Sequence, residues 1–156
     1  MEKDQHGGDH AQRRPLRAAI ARGALIVLVI DASVAVQASL PSDGFALLDQ
    51  EELVAPALLW SEVPSVLHEM AWRGTVSRGL GRAALERFLA APIGARRHAR
   101  LTPEAWRIAD ELGWAKTYDA EYVALAHLLG SRLLTLDARL RRTASRLVEI
   151  LGPTEL

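Results

Sequence analysis

The chain has 156 residues, 49% hydrophobic and 24% charged, a length and balance that suit one globular domain and exclude wholesale disorder. Lysine plus arginine equals aspartate plus glutamate at 19 each, so no global positive field draws nucleic acid or an anionic membrane, and any RNA affinity has to be local. Cysteine is absent, which excludes disulfides and thiolate metal sites, sits comfortably with a cytoplasmic setting, and leaves oxygen and nitrogen as metal ligands.

Residues 1–23 carry five basic and three acidic side chains among glycines and histidines, and read as a flexible N-terminal tail ahead of a domain spanning 24–156. Arg13, Arg14, Arg17 and Arg22 precede the apolar run 24–30, the outline of a signal peptide. The run is short and Asp31 interrupts it, so a buried strand is the better reading. No segment approaches the ~20 apolar residues needed to span a bilayer, and no membrane association is expected.

Residues 25–30, LIVLVI, are apolar on both parities, the pattern of a strand covered on both faces of a parallel sheet. Ser33 is expected to cap a short helix through about Leu40, Pro41 to Gly44 punctuate, 45–50 form a second helical fragment, and 53–55 a short strand. Leu59, Trp60, Val63, Val66, Leu67, Met70 and Ala71 make one stripe of a helix over 59–73, stopped by Gly74, into which Pro64 fits only in the first turn. Next come a helix over 76–90 and a strand over 96–101. A further helix is announced by Thr102 as cap and Pro103 at its first position, and Gly113 ends it. Asp119 opens a helix that Gly130 closes, and 132–136, 140–144 and 146–151 read as strand, helix and strand. Strands alternating with helices imply an α/β fold, a three-layer α/β/α sandwich with a mainly parallel central sheet.

In open parallel sheets the functional crevice lies beyond the carboxyl ends of the strands, and Asp31 and Asp137 each follow an apolar strand directly. Either residue alone is as readily a helix cap; the two together point to a site. Asp119 has Tyr122, Val123 and Ala126 at i+3, i+4 and i+7, which puts its carboxylate in line with the apolar stripe and predicts that it faces inward. Glu62 flanks the stripe of its own helix in the first turn, as a group at the rim of a crevice does. Converging carboxylates without cysteine are the ligand set of a hard divalent cation, Mg2+ or Mn2+, able to support phosphodiester hydrolysis. Two basic groups, Arg96, Arg97, His98 and Arg100, and Arg139, Arg141, Arg142 and Arg146, either hold backbone phosphates or serve as partners for the many acids.

IDAS after an apolar strand, SEV opening a helix, YDAEYVALA and LLTLDARL occur in the order and approximate spacing of PIN domains, and the chain resembles a VapC-type toxin ribonuclease over about 25–151. The resemblance implies a PIN-like fold and a metal-dependent endoribonuclease acting on RNA. Asp31, Glu62, Asp119 and Asp137 would be the catalytic and metal-binding acids, with Ser33 and Thr135 as supporting hydroxyls. It also implies a homodimer and a cognate small antitoxin. Two features depart from the pattern: Pro64 and Ser65 stand where the family continues its helix with a helix former and an asparagine, and the amino terminus is extended. The alternative is a non-catalytic PIN-like interaction module. A dinucleotide-binding enzyme would need a glycine-rich loop where Asp31-Ala32-Ser33-Val34 stands, and a haloacid-dehalogenase-like phosphatase would need a second aspartate at position 33.

Overall fold

Strand β1 (Ile26–Ile30) lies at the centre of the sheet because its apolar residues have no polar parity to turn outward: Leu28, Val29 and Ile30 are fully buried. The computed structural model describes residues 26–152, 154 and 155 of the chain; the expected tail, and Leu25 at the head of the strand, lie outside the described residues.

From β1 the chain runs through α1 (Ala32–Ser39) and a short 3-10 turn (Gly44–Leu48) to β2 (Glu51–Ala55). It continues through α2 (Leu59–Trp72) and α3 (Arg78–Ala90) to β3 (Ile93–Ala95), then α4 (Leu101–Leu112), α5 (Tyr118–Leu129), β4 (Arg132–Leu134), α6 (Ala138–Ala144) and β5 (Ile150–Leu151). The sheet order is β3-β2-β1-β4-β5, and every pairing is parallel. Chain direction across the sheet reverses once, between β3 and β4. Right-handed crossovers therefore set α1, α2 and α3 on one face and α4, α5 and α6 on the other. The packing agrees: α1 meets α2 and α3, while α5 meets α4, β1 and β4. This is the expected three-layer sandwich, and its topological switch point is the gap between the carboxyl ends of β1 and β4.

Several local expectations are corrected. Asp31, not Ser33, caps α1, because its side chain accepts from the Val34 amide. Residues 96–101 form no strand; the edge strand comes earlier at Ile93–Ala95, and Leu101 already belongs to α4. Thr102 is not a cap: Arg100 holds that position without a side-chain bond, and Pro103 is the third residue of α4. Pro64 is the sixth residue of α2, beyond the first turn, and the helix continues through it. The entry to α2 is a chain of short-range turns, with the amides of Leu59, Trp60 and Ser61 bonded three residues back to Pro56, Ala57 and Leu58. At the far end of α1, Arg87 from α3 donates to the carbonyls of Ser39 and Leu40 at 3.0 and 2.7 Å, satisfying acceptors that the helix end leaves free.

The 3-10 turn packs so closely on α1 that a Cβ added at Gly44 would fall inside the Ala38 carbonyl. Gly44→Ala is expected to destabilise the fold by about 1–3 kcal/mol, read as a lower urea midpoint at unchanged slope; an unchanged midpoint would contradict this approach of turn to helix.

Candidate active site

A single residue, Asp31, joins β1 to α1, and it stands at the switch point. Its amide donates to the Leu134 carbonyl at 3.3 Å, tying the end of β1 to the end of β4. The side chain is only 7% exposed. Burying a carboxylate is costly unless donors replace water, and three do so here. Oδ1 accepts from Ser33 Oγ at 2.5 Å and from the Val34 amide at 3.2 Å, while Oδ2 accepts from Thr135 Oγ1. The same two hydroxyls then accept in turn, Ser33 Oγ from the Leu136 amide and Thr135 Oγ1 from the Asp137 amide, both at 3.0 Å. The loops after β1 and β4 are thus sewn together through Asp31 by the Ser33 and Thr135 hydroxyls.

Burial still dominates. It pushes the Asp31 carboxyl above its ordinary value of 3.8, against the lowering pull of Ser33, Thr135 and the Val34 amide, and the nearby charge of Asp119 pushes in the same direction as burial.

Glu62, in the first turn of α2, is half-buried and accepts a hydrogen bond from the Tyr122 hydroxyl. Burial raises its carboxyl as well, opposed by that bond and reinforced by Asp119 and Asp31. Pro64, two residues on, thus leaves Glu62 in the first turn of α2 and within hydrogen-bond reach of Tyr122. Asp119 is the second residue of α5 and Asp137 the cap of α6, where it accepts from the amides of Arg139 and Leu140 at 2.7 and 3.1 Å. Asp119 does not face the interior: its side chain is 43% exposed and pairs with Arg139. The stripe that should have drawn it inward buries Tyr122, Val123 and Ala126, but at the first turn of α5 it meets solvent, where Tyr118 beside Asp119 is exposed as well. Arg139 also lies 3.7 Å from Asp137, so one guanidinium serves two of the expected acids.

Three contributors escaped the sequence reading. Tyr122 is buried, and burial pushes its hydroxyl far above the ordinary range, aided by the bond to Glu62, so it stays protonated as a donor. A buried tyrosine needs a partner for its hydroxyl, and that requirement was the available signal. Glu121 is a further acid near Glu62, raised by burial and then by the Glu62 charge. Arg139 had been grouped with its basic neighbours, but the structure disperses that group among acids: Arg139 to Asp119, Arg141 to Glu155 and Arg146 to Glu111. Arg96, from the other basic group, pairs with Glu52.

The donor set suits a hard divalent cation in kind, being all oxygen and short of positive charge around Asp31 and Glu62. Among the described residues no three Asp, Glu or His side chains converge closely enough on one point to enclose an ion in this arrangement. The cation that Asp119 and Asp137 do share is the Arg139 guanidinium.

Residues 28–146 match the PIN domain family. The VapC ribonuclease of Mycobacterium bovis and ribonuclease VapC9 of Mycobacterium tuberculosis are each 37% identical to the chain over 119 residues, 75% of this chain and 91% of theirs. Among solved structures, PAE2754 from Pyrobaculum aerophilum has a TM-score of 0.65 at 23% identity, covering 81% of this chain and 91% of its own. VapBC2 from Rickettsia felis, bound to a DNA fragment from their promoter, has a TM-score of 0.61 at 12% identity, covering 81% of this chain and 98% of its own. At those identities the two structures establish the fold alone.

The raised carboxyls fix the sign of a pH effect. A carboxyl raised on folding contributes stability that is fully present below its unfolded value and is lost as pH rises through the folded one. Above its unfolded value the buried Asp31 carboxyl is therefore a net cost to the fold. In EDTA at pH 7, Asp31→Asn is expected to melt ~2–4 °C above the wild type, about 1 kcal/mol, with the gain shrinking as pH approaches 4. A lower melting temperature for Asp31→Asn at pH 7 would contradict the assignment.

Proposed function

Because this chain belongs to the PIN domain family and to its VapC branch, we propose that it is a divalent-metal-dependent endoribonuclease, the toxin of a VapBC-type pair, with Asp31, Glu62, Asp119 and Asp137 as its catalytic and metal-binding acids. The observation that carries the site assignment is Asp31: a carboxylate at the switch point of the sheet, buried at a cost to the fold, with Glu62 and Asp119 close enough to raise it or be raised by it. A structural cap has no need of such company.

A bound Mg2+ or Mn2+ would supply positive charge beside the scissile phosphate and would make water more acidic. Asp31, Glu62, Asp119 and Asp137 would hold the cation through oxygen atoms. Ser33 and Thr135 keep the Asp31 carboxylate oriented by donating to its two oxygens, and Tyr122 does the same for Glu62. The half-exposed Asp119 and Asp137 would be the acids open to a phosphodiester arriving from solvent.

The substrate class is RNA, on the strength of the ribonuclease relatives. A small antitoxin as partner is supported by the apolar groove between α2 and α3, lined by Leu67, Ala71, Trp72 and Leu85 with Arg78 and Arg82 beside it; Trp72 is 77% exposed there. A homodimer is in keeping with further exposed apolar side chains such as Leu89 and Trp106. No described helix is long and apolar enough to cross a membrane. A cytoplasmic setting, where such a toxin would meet RNA and its antitoxin, is part of the same proposal.

Purified protein is expected to cleave RNA internally in Mg2+ or Mn2+ and to stop in EDTA. Asp31→Asn and Asp119→Asn should each slow cleavage by at least ~100-fold. Unchanged cleavage in either variant would remove that residue from the site, and absence of both metal binding and cleavage in the wild type would favour a non-catalytic interaction module.

A further inference from the structure

Arg139 occupies an unusual place. It is the second residue of α6, where the positive end of the helix dipole disfavours a cation. Its position is set by other groups: the guanidinium donates to Asp119 Oδ2, lies 3.7 Å from Asp137 Oδ2, and sits 5.2 Å from the centre of the Trp114 ring. Trp114 itself packs against the core, so the guanidinium rests on a fixed aromatic face. Two carboxylates from the starts of two different helices thus converge on one arginine.

We propose that Arg139 is a positioning residue that competes with the divalent cation for Asp119 and Asp137 and thereby sets the metal affinity of the site. This rests on the metal-dependent reading above. A carboxylate oxygen engaged by a guanidinium cannot also present that lone pair to a small dication, and the two positive charges repel at such range. Loading the site therefore releases Arg139 from Asp119 and Asp137. In its seated position the arginine relieves repulsion between the two acids and keeps them at the crevice. Arg141, on the same helix, engages Glu155 instead and has no part in this exchange.

Calorimetric titration of the full-length protein with Mn2+ tests the proposal. Arg139→Gln is expected to bind Mn2+ about 3- to 10-fold more tightly than the wild type, as the loss of one charge and two half-exposed pairs allows. Arg139→Lys, which keeps the charge but not the planar fork, should fall between them, and Arg141→Gln should stay within about twofold of the wild type. A second reading uses Trp114: Mg2+ should change the tryptophan emission of the wild type, with the change lost in Trp114→Phe and weakened in Arg139→Gln. Equal Mn2+ affinity in wild type and Arg139→Gln, or an equal gain in Arg141→Gln, would overturn the role of Arg139 while leaving the metal site standing. Failure of both wild type and Arg139→Gln to bind Mn2+ would overturn the metal reading and this proposal together.

Discussion

One carboxylate, taken out of water at the centre of the sheet, organises this end of the molecule. Asp31 is the only residue between the fully buried end of β1 and the start of α1, so its backbone has no freedom to carry the side chain elsewhere. Ionised in that position it requires donors, and the chain supplies them from two loops: Ser33 and the Val34 amide on one side, Thr135 on the other. Because the two hydroxyls also accept from the Leu136 and Asp137 amides, the demand of one buried charge fixes the loop that presents Asp137. A requirement of local electrostatics thereby becomes a long-range restraint across the switch point.

The acids are graded from depth to surface. Asp31 is buried, Glu62 half-buried under the Tyr122 hydroxyl, and Asp119 and Asp137 lie half-exposed around Arg139. A fold selected for stability alone would place an amide or an apolar group where Asp31 stands, since a buried charge remains a net cost when its hydrogen bonds only partly repay the loss of water. Retaining the carboxylate is intelligible if a cation completes the site, because a nearby positive charge would offset the burial that raises Asp31 and Glu62 and the smaller repulsion from neighbouring acids. Arg139 offers the exposed pair of acids a cation of the chain's own, which separates the deep acids, held by neutral donors, from the surface acids, held by charge.

Much of this was legible in the sequence. The both-parity apolar run identified the central strand, and the acid directly after it, Asp31, does stand at the strand end, whereas the second strand closes at Leu134, two residues earlier than its apolar run suggests, so that Asp137 follows a short loop and caps the next helix. What periodicity could not reveal was depth. The stripe through Tyr122, Val123 and Ala126 is real, yet Asp119 lies in the first turn, where the stripe runs out to solvent instead of into the core. Pro64 looked like a disturbance to Glu62, but short-range turns from Pro56 onward allow α2 to start early and continue through the ring. The arginines of α6 formed one basic group only along the sequence; on a helix they project in different directions and find different acids. Partner choice of this kind depends on tertiary neighbours, which is why Tyr122 and Arg139 emerged only from the structure.

Anomalous diffraction from a crystal equilibrated with Mn2+ tests the central claim most directly. The account predicts manganese at the carboxyl ends of β1 and β4, coordinated by Asp31 with oxygen atoms from Glu62, Asp119 or Asp137. Manganese bound only elsewhere, with Asp31 still engaged solely by its hydroxyl and amide donors at saturating metal, would contradict it.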